Sequence, residues 1–252
     1  MNDYNENIQV LTNIVLNKIY KFYKMKKLLI LSLLYYPINA YTQGVSFDYS
    51  IGYGTYQLKD IKSIQHSMLN NYGLKDVDCF SGYITHSVAL GFVTGHHHFG
   101  SNFSYLTTGG RLHRADYSGS YTVDMIMNGY RLGAFYRYYI KTGFLPLYVY
   151  LQLSPGALFS NLRMEERVNI YPESAQEITK LKSVGMYIEP TIGATYRFTD
   201  WLHFSLGGGY ETNFGGTLKL SGQNTQIKAR WNGLRLYGGL IFILPTTKKA
   251  SL

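Results

Sequence analysis

The sequence predicts an all-β fold, an eight-stranded antiparallel up-and-down β-barrel that crosses a membrane. Three observations carry that expectation. The first is a strict period of two over residues 184–198, where Val184, Met186, Ile188, Ile192, Ala194, Tyr196 and Phe198 alternate with Ser183, Gly185, Glu189, Thr191, Thr195 and Arg197. Such alternation gives a strand one apolar and one polar face. The second is length: strands of soluble sheets average about 5–6 residues, whereas a tilted strand crossing a bilayer needs roughly 9–11. The third is connection length, which alternates between short and long, the plan of a transmembrane barrel with turns on one side and loops on the other.

Eight strands follow in order over 45–56, 83–94, 99–111, 121–140, 147–159, 184–198, 201–212 and 227–244. In the first, Phe47, Tyr49, Ile51 and Tyr53 face away from Asp48, Ser50, Gly52 and Gly54. In the fourth, Tyr130, Leu132, Ala134, Tyr136 and Tyr138 oppose Gly129, Arg131, Gly133 and Arg137. Short turns are expected at 95–98, 141–146 and 199–200, and long loops at about 57–80, 111–120, 160–181 and 213–226. Within the first long loop, Leu58, Ile61, Ile64, Met68 and Leu69 have helical spacing, which suits a short helix over 58–71 capping the barrel mouth.

Composition agrees with this plan. The 252 residues include 26 Gly, 25 Tyr and 13 Phe but only 15% charged residues, as β-structure with aromatic belts requires. No run of about 20 apolar residues offers a membrane-spanning helix. The single cysteine, Cys79, has no partner for an internal disulfide. The net charge of +9 is partly concentrated near the N-terminus, where Lys18, Lys21, Lys24, Lys26 and Lys27 face only Asp3 and Glu6. The remainder forms no Lys/Arg cluster, so nucleic acid is not an expected partner.

Residues 1–40 read as a signal-peptide region. Met25-Lys26-Lys27 is a basic start, Leu28 to Tyr36 an apolar stretch too short to span a bilayer, and Pro37-Ile38-Asn39-Ala40 a cleavage region ending in a small residue. Translation is expected to begin at Met25, with 1–24 an over-extended reading frame. The barrel domain occupies 41–252 and ends in a short polar tail.

The polar strand faces carry Asp48, Arg131, Arg137, Glu189, Arg197, Glu211 and Arg235. An eight-stranded barrel is filled by its own side chains, so these charges are expected to compensate one another inside, Glu189 and Glu211 pairing with arginines. A lipocalin-type barrel would have the opposite polarity, with an apolar lumen and a charged exterior. A narrow ion path is the functional alternative to a structural network. Basic residues of the outer half, Lys59, Lys62, Arg111, Arg114, Lys180, Lys182, Lys228 and Arg230, are expected to meet lipopolysaccharide phosphates. His96-His97-His98 sits in a turn with no neighbouring ligand spacing, so neither a metal nor any other cofactor is expected.

The run Thr108-Gly109-Gly110-Arg111-Leu112-His113-Arg114-Ala115-Asp116-Tyr117-Ser118-Gly119, with Tyr130-Arg131-Leu132-Gly133-Ala134-Phe135-Tyr136-Arg137-Tyr138-Tyr139, resembles small outer-membrane β-barrel proteins of Gram-negative bacteria, the OmpA- and OmpX-type barrels. The resemblance covers roughly 44–244. It implies a monomer in the bacterial outer membrane, inserted by the barrel-assembly machinery, with a structural or adhesive role through extracellular loops that meet lipid, a ligand or a surface partner. The chain departs from that pattern at its end: the terminal aromatic read by the assembly machinery is absent, and Phe242 is the substitute. A second resemblance, to outer-membrane lipid A deacylases, rests on His203-Phe204-Ser205 with Glu211 as carboxylate. It implies a lipid-modifying enzyme. Leu206 stands where that family has asparagine, and His203 falls at the periplasmic end, so no catalytic residue is assigned.

Overall fold

The computed structural model describes residues 44–143, 146–170 and 173–245. The expected signal region and polar tail lie outside them. Its elements are β1 (Gly44–Gly54), α1 (Lys59–Tyr72), β2 (Lys75–Cys79), β3 (Tyr83–Thr94), β4 (His97–Asp116), β5 (Gly119–Lys141), β6 (Leu147–Ile170), β7 (Glu173–Arg197), β8 (Leu202–Gly215), β9 (Thr217–Leu220), β10 (Gln223–Lys228) and β11 (Gly233–Pro245). Pairing is antiparallel throughout. β1, β3, β4, β5, β6, β7, β8 and β11 are neighbours in that order, and β11 pairs back onto β1, with Gly44 opposite Pro245 and Gly54 opposite Arg235. The sheet therefore closes into an eight-stranded up-and-down barrel with no open edge within the ring.

The outer wall explains why the barrel is transmembrane. Phe47, Ile51, Leu90, Leu132, Leu151, Ile192, Leu206 and Leu236 all point outward and are exposed. Such a surface is stable only against hydrocarbon. On β5 the outward apolar face runs from Tyr130 to Ile140, the span a tilted strand needs to cross a bilayer. One edge of the belt is a register row of large side chains, Tyr105, Tyr130, Phe159 and Val184. The next outward row is Thr107, Asn128, Asn161 and Lys182, so the hydrocarbon boundary falls between them.

Past this boundary the structure departs from the expected loops. Segments 111–116, 119–120, 160–170 and 173–181 are strand: β4 and β5 continue to a tight turn at Tyr117-Ser118, and β6 and β7 run on to Ile170 and Glu173. The inside–outside phase is unbroken, but the polarity inverts. Outward positions become charged (Arg111, Asp124, Arg163, Glu165), while inward positions become apolar (Leu112, Val123, Met125, Leu162). A strand in lipid is greasy outside and polar inside; the same strand in water is the reverse. We call this projection the ribbon, and the opposite end of the barrel the turn end.

The ribbon encloses a core of its own. Leu106, Leu112, Val123, Met125, Met127, Leu158, Leu162, Leu181, Leu218 and Trp231 are buried there with Tyr56, Leu58, Ile61, Leu74 and Phe80. The helix forms one residue out of the expected register and buries Ile61 in this cluster. Asp60 in its first turn suits the helix dipole, and Gly73 (φ 59°) ends it in the left-handed conformation glycine favours. Gln65 locks it to β2, donating to Asp78 O at 2.6 Å and Asp76 Oδ1 at 3.0 Å. The expected last strand divides: Gln223–Lys228 is β10, hairpin partner of β9, and the wall resumes only at Gly233.

Candidate functional site

Two regions concentrate polar chemistry: the mid-lumen and the rim where the ribbon leaves the lipid belt. Odd positions of β5 and β7, and the matching ones of β11 and β8, point inward, which brings Arg131, Glu189, Arg235 and Glu211 together. Arg131 Nη2 bonds to Glu189, and its Nη1 lies 3.0 Å from Glu211 Oε2. Arg235 Nη2 is 2.7 Å from the same Glu211 oxygen and 3.2 Å from Trp231 O. Tyr237 donates to Glu189 Oε1 at 2.5 Å, and Tyr187 stacks under the Arg131 guanidinium at 4.2 Å.

A second group lies nearer the turn end. Arg137 sits 3.3 Å from Asp48, donates to Gln152 at 2.7 Å, and covers the Tyr150 ring at 4.7 Å. Arg197 is apart from both groups, bonded to Asp200 in the β7–β8 turn. Among the described residues, the buried lumen thus holds three guanidiniums (Arg131, Arg137, Arg235) against three carboxylates (Asp48, Glu189, Glu211), so their burial leaves no net charge. A cavity of about 80 Å³ lies between the groups, bounded by Asp48, Arg131, Arg137, Gln152 and Glu189. Polar atoms there that lack protein partners, Thr191 Oγ1 among them, suit a few trapped waters. With the apolar ribbon core above, side chains fill the lumen at two levels.

The His–Ser pair singled out in the sequence does not assemble a nucleophile. Ser205 Oγ faces the Tyr150 hydroxyl at 3.3 Å, and Glu211 is held by Arg131 and Arg235. The histidine that does bond a serine is His98, whose Nε2 is 2.6 Å from Ser46 Oγ. Asp48 approaches that same nitrogen at 3.9 Å, while Nδ1 faces Tyr139 OH at 3.3 Å. A carboxylate on Nδ1 is what orients a catalytic histidine, and here a tyrosine takes that place. Ser46 and His98 are also fully buried, so substrate has no access. Sequence reading missed this pair because Ser46 and His98 are 52 residues apart and meet only through the β1–β3–β4 register. His97 points outward to Tyr136 OH at 2.7 Å, so the three consecutive histidines diverge.

The eight basic residues expected to meet phosphates fall into three groups. Lys59, Lys62, Lys228 and Arg230 surround the start of α1. There Lys62 Nζ donates to Tyr56 O at 3.2 Å, the Lys228 amide donates to Asp60 at 2.9 Å, and Arg230 O accepts from the Leu58 amide at 2.9 Å. Arg111 and Arg114 stand on β4, Arg111 bonded to Asp124 at 2.5 Å and Arg114 3.9 Å from Asp116. Lys180 and Lys182 point outward from β7 at the lipid boundary, beside Lys219 of β9.

No protein-family model matches the chain, and no curated protein does. Among solved structures it is similar to neisserial surface protein A (14% identity, TM-score 0.35, covering 80% of this chain and 96% of that one). It is also similar to Ail of Yersinia pestis, solved with the heparin analogue sucrose octasulfate (13%, 0.37, 80% and 98%). The N-terminal β-barrel domain of Pseudomonas aeruginosa OprF is a third (14%, 0.31, 81% and 99%). These likenesses are too distant to carry a ligand or a residue role to this chain.

Proposed function

We propose that the protein is a bacterial outer-membrane anchor whose binding work is done by the ribbon, helix and β9–β10 hairpin outside the cell, with the short turns in the periplasm. One observation carries this reading. Four strands run about ten residues past the lipid belt, and a separate apolar core holds that projection rigid. A barrel serving only as membrane wall needs no such core. The role is structural or adhesive, and the partners are lipopolysaccharide, an extracellular ligand or a surface partner. The chain works as a monomer, exported by its signal peptide and inserted by the barrel-assembly machinery, with Phe242 as the aromatic recognised there. A lipid-modifying activity is opposed by the burial of the Ser46–His98 pair and by Ser205 facing Tyr150 rather than a histidine, and an ion path is opposed by the compensated charges filling the lumen.

The tips point to where a partner binds, since Tyr117 is fully exposed and Ile170 more than half exposed, apolar surface that water does not favour. The test trims both tips, replacing 114–121 and 168–175 with Asn-Gly, the residues of a two-residue hairpin turn. Both proteins are expected to stay heat-modifiable on gels. Adhesion of producing cells to immobilised matrix proteins and glycans is expected to fall about tenfold, the effect of losing roughly 1.4 kcal/mol of contact. Equal adhesion by the two folded proteins would overturn the reading.

A further inference from the structure

The rim of the lipid belt carries an uncompensated charge cluster. Lys182 and Lys219 are direct cross-strand partners between β7 and β9, and Lys180 follows two residues along the same face. Like charges directly opposite on a sheet destabilise it, whereas an acid there would stabilise it. Arg163 lies opposite Lys180 on β6. The nearby acids are already engaged: Glu165 holds Arg163 and Arg167, and Asp124 holds Arg111 and Arg167. Among the described residues, none of the three lysines has an ion-pair partner. They line one groove of about 720 Å³ whose lower wall is Val184 and whose far side is Gly215 and Thr217. Val184 belongs to the last row of the belt, and Phe214 beside it is also exposed outward. The groove therefore opens at headgroup depth, with hydrocarbon-facing surface directly beneath three free ammonium groups.

We propose that Lys180, Lys182 and Lys219 bind the phosphate groups of a phosphorylated glycolipid of the outer leaflet, whose acyl chains lie along Val184 and Phe214. This rests on the reading above that the ribbon faces outward, and it picks one site from the basic residues considered there. An anion between Lys182 and Lys219 turns their repulsion into two charge-assisted contacts. The paired Arg111 has no such need. A lipid source is favoured over a soluble anion because the groove floor continues into the belt, so one molecule satisfies both surfaces.

The test uses the full chain in phosphatidylcholine nanodiscs doped with diphosphorylated lipid A, bound lipid being measured by native mass spectrometry. Lys180→Gln/Lys182→Gln/Lys219→Gln is expected to bind roughly 100-fold more weakly, given about 1 kcal/mol per lysine at a membrane surface. Lys141→Gln, at the turn end of β5, is expected to bind as the unaltered chain does, and dephosphorylated lipid A is expected to bind the unaltered chain as weakly as the triple variant binds the diphosphorylated form. Undiminished binding by the triple variant, with its heat-modifiable fold intact, would overturn the site. Displacement of the lipid by tripolyphosphate at equal concentration would overturn the lipid as ligand in favour of a soluble polyanion. A nanodisc offers lipid to both ends of the barrel, so failure here refutes the site whichever end faces outward, and orientation is read separately.

Discussion

Glu211→Ala is expected to destabilise the folded barrel by about 3–5 kcal/mol, the usual consequence of removing one partner from a buried ion pair. Glu211 is completely buried, and its Oε2 is the shared ion-pair partner of Arg131 at 3.0 Å and Arg235 at 2.7 Å. Its loss leaves two guanidiniums facing only Glu189 in a lumen with little water. Urea unfolding in detergent micelles, followed by gel mobility, measures the change. The paired replacement Glu211→Leu with Arg235→Met restores neutrality, because Arg131 retains Glu189. It is expected to recover most of the loss, as buried ion pairs exchanged for apolar residues often do. A change under about 1 kcal/mol for the single variant would mean that water, not the arginines, solvates Glu211.

The second large effect is expected at Trp231. It is wholly buried, donates from Nε1 to Ser160 Oγ at 2.8 Å, and meets Tyr56 edge-on at 4.9 Å. Gly129 lies directly against the indole, where a Cβ would come within 3.0 Å of it. Trp231→Ala is expected to cost about 3–5 kcal/mol through the cavity left behind. The damage should stay in the ribbon core, because the barrel wall below it is closed by its own ladder. The segment before α1 is tied to the segment carrying Trp231 by Gln57 N to Asn232 O and Leu58 N to Arg230 O, both 2.9 Å. Trypsin should therefore cut sooner at Lys59 and Lys62 while the heat-modifiable shift persists. Unchanged trypsin resistance would show that α1 does not depend on this core.

Much of the fold was legible because a lipid-exposed barrel writes period two with one constant sign. Residues 130–140 and 184–198 show it in nearly every position. The ribbon was legible as strand only in part, over 107–111 and 121–128, because its sign reverses: Arg111, Asp124, Arg163 and Lys180 stand where lipid-facing residues stood below. A reader expecting one greasy outward face stops the strand at the membrane surface. The surviving signal is phase, since Leu106, Leu112, Met125 and Leu162 keep the inward parity of the lumen residues before them. Parity named Asp48, Arg131, Arg137, Glu189, Glu211 and Arg235, which are buried in the lumen, but also Arg197, which instead bonds Asp200 at the turn end. Their partners could not be named this way, because Arg131 and Glu211 meet across the barrel rather than along a strand. Lys219 likewise gains meaning only from the β7–β9 register that sets it against Lys182.

The claim underlying the whole account is that the ribbon end faces out of the cell. Cys79 tests it directly. It is the single cysteine of the chain, exposed at the end of β2 beside the ribbon. Partial burial, with the Asp76 carboxylate nearby, pushes its thiol above the ordinary range, so labelling belongs at mildly alkaline pH, where more of the thiolate forms. A maleimide too large and polar to cross the outer membrane, applied to intact cells, is predicted to label Cys79 as fully as it does in lysed cells. Labelling only after the outer membrane is permeabilised would place the ribbon in the periplasm and contradict the account.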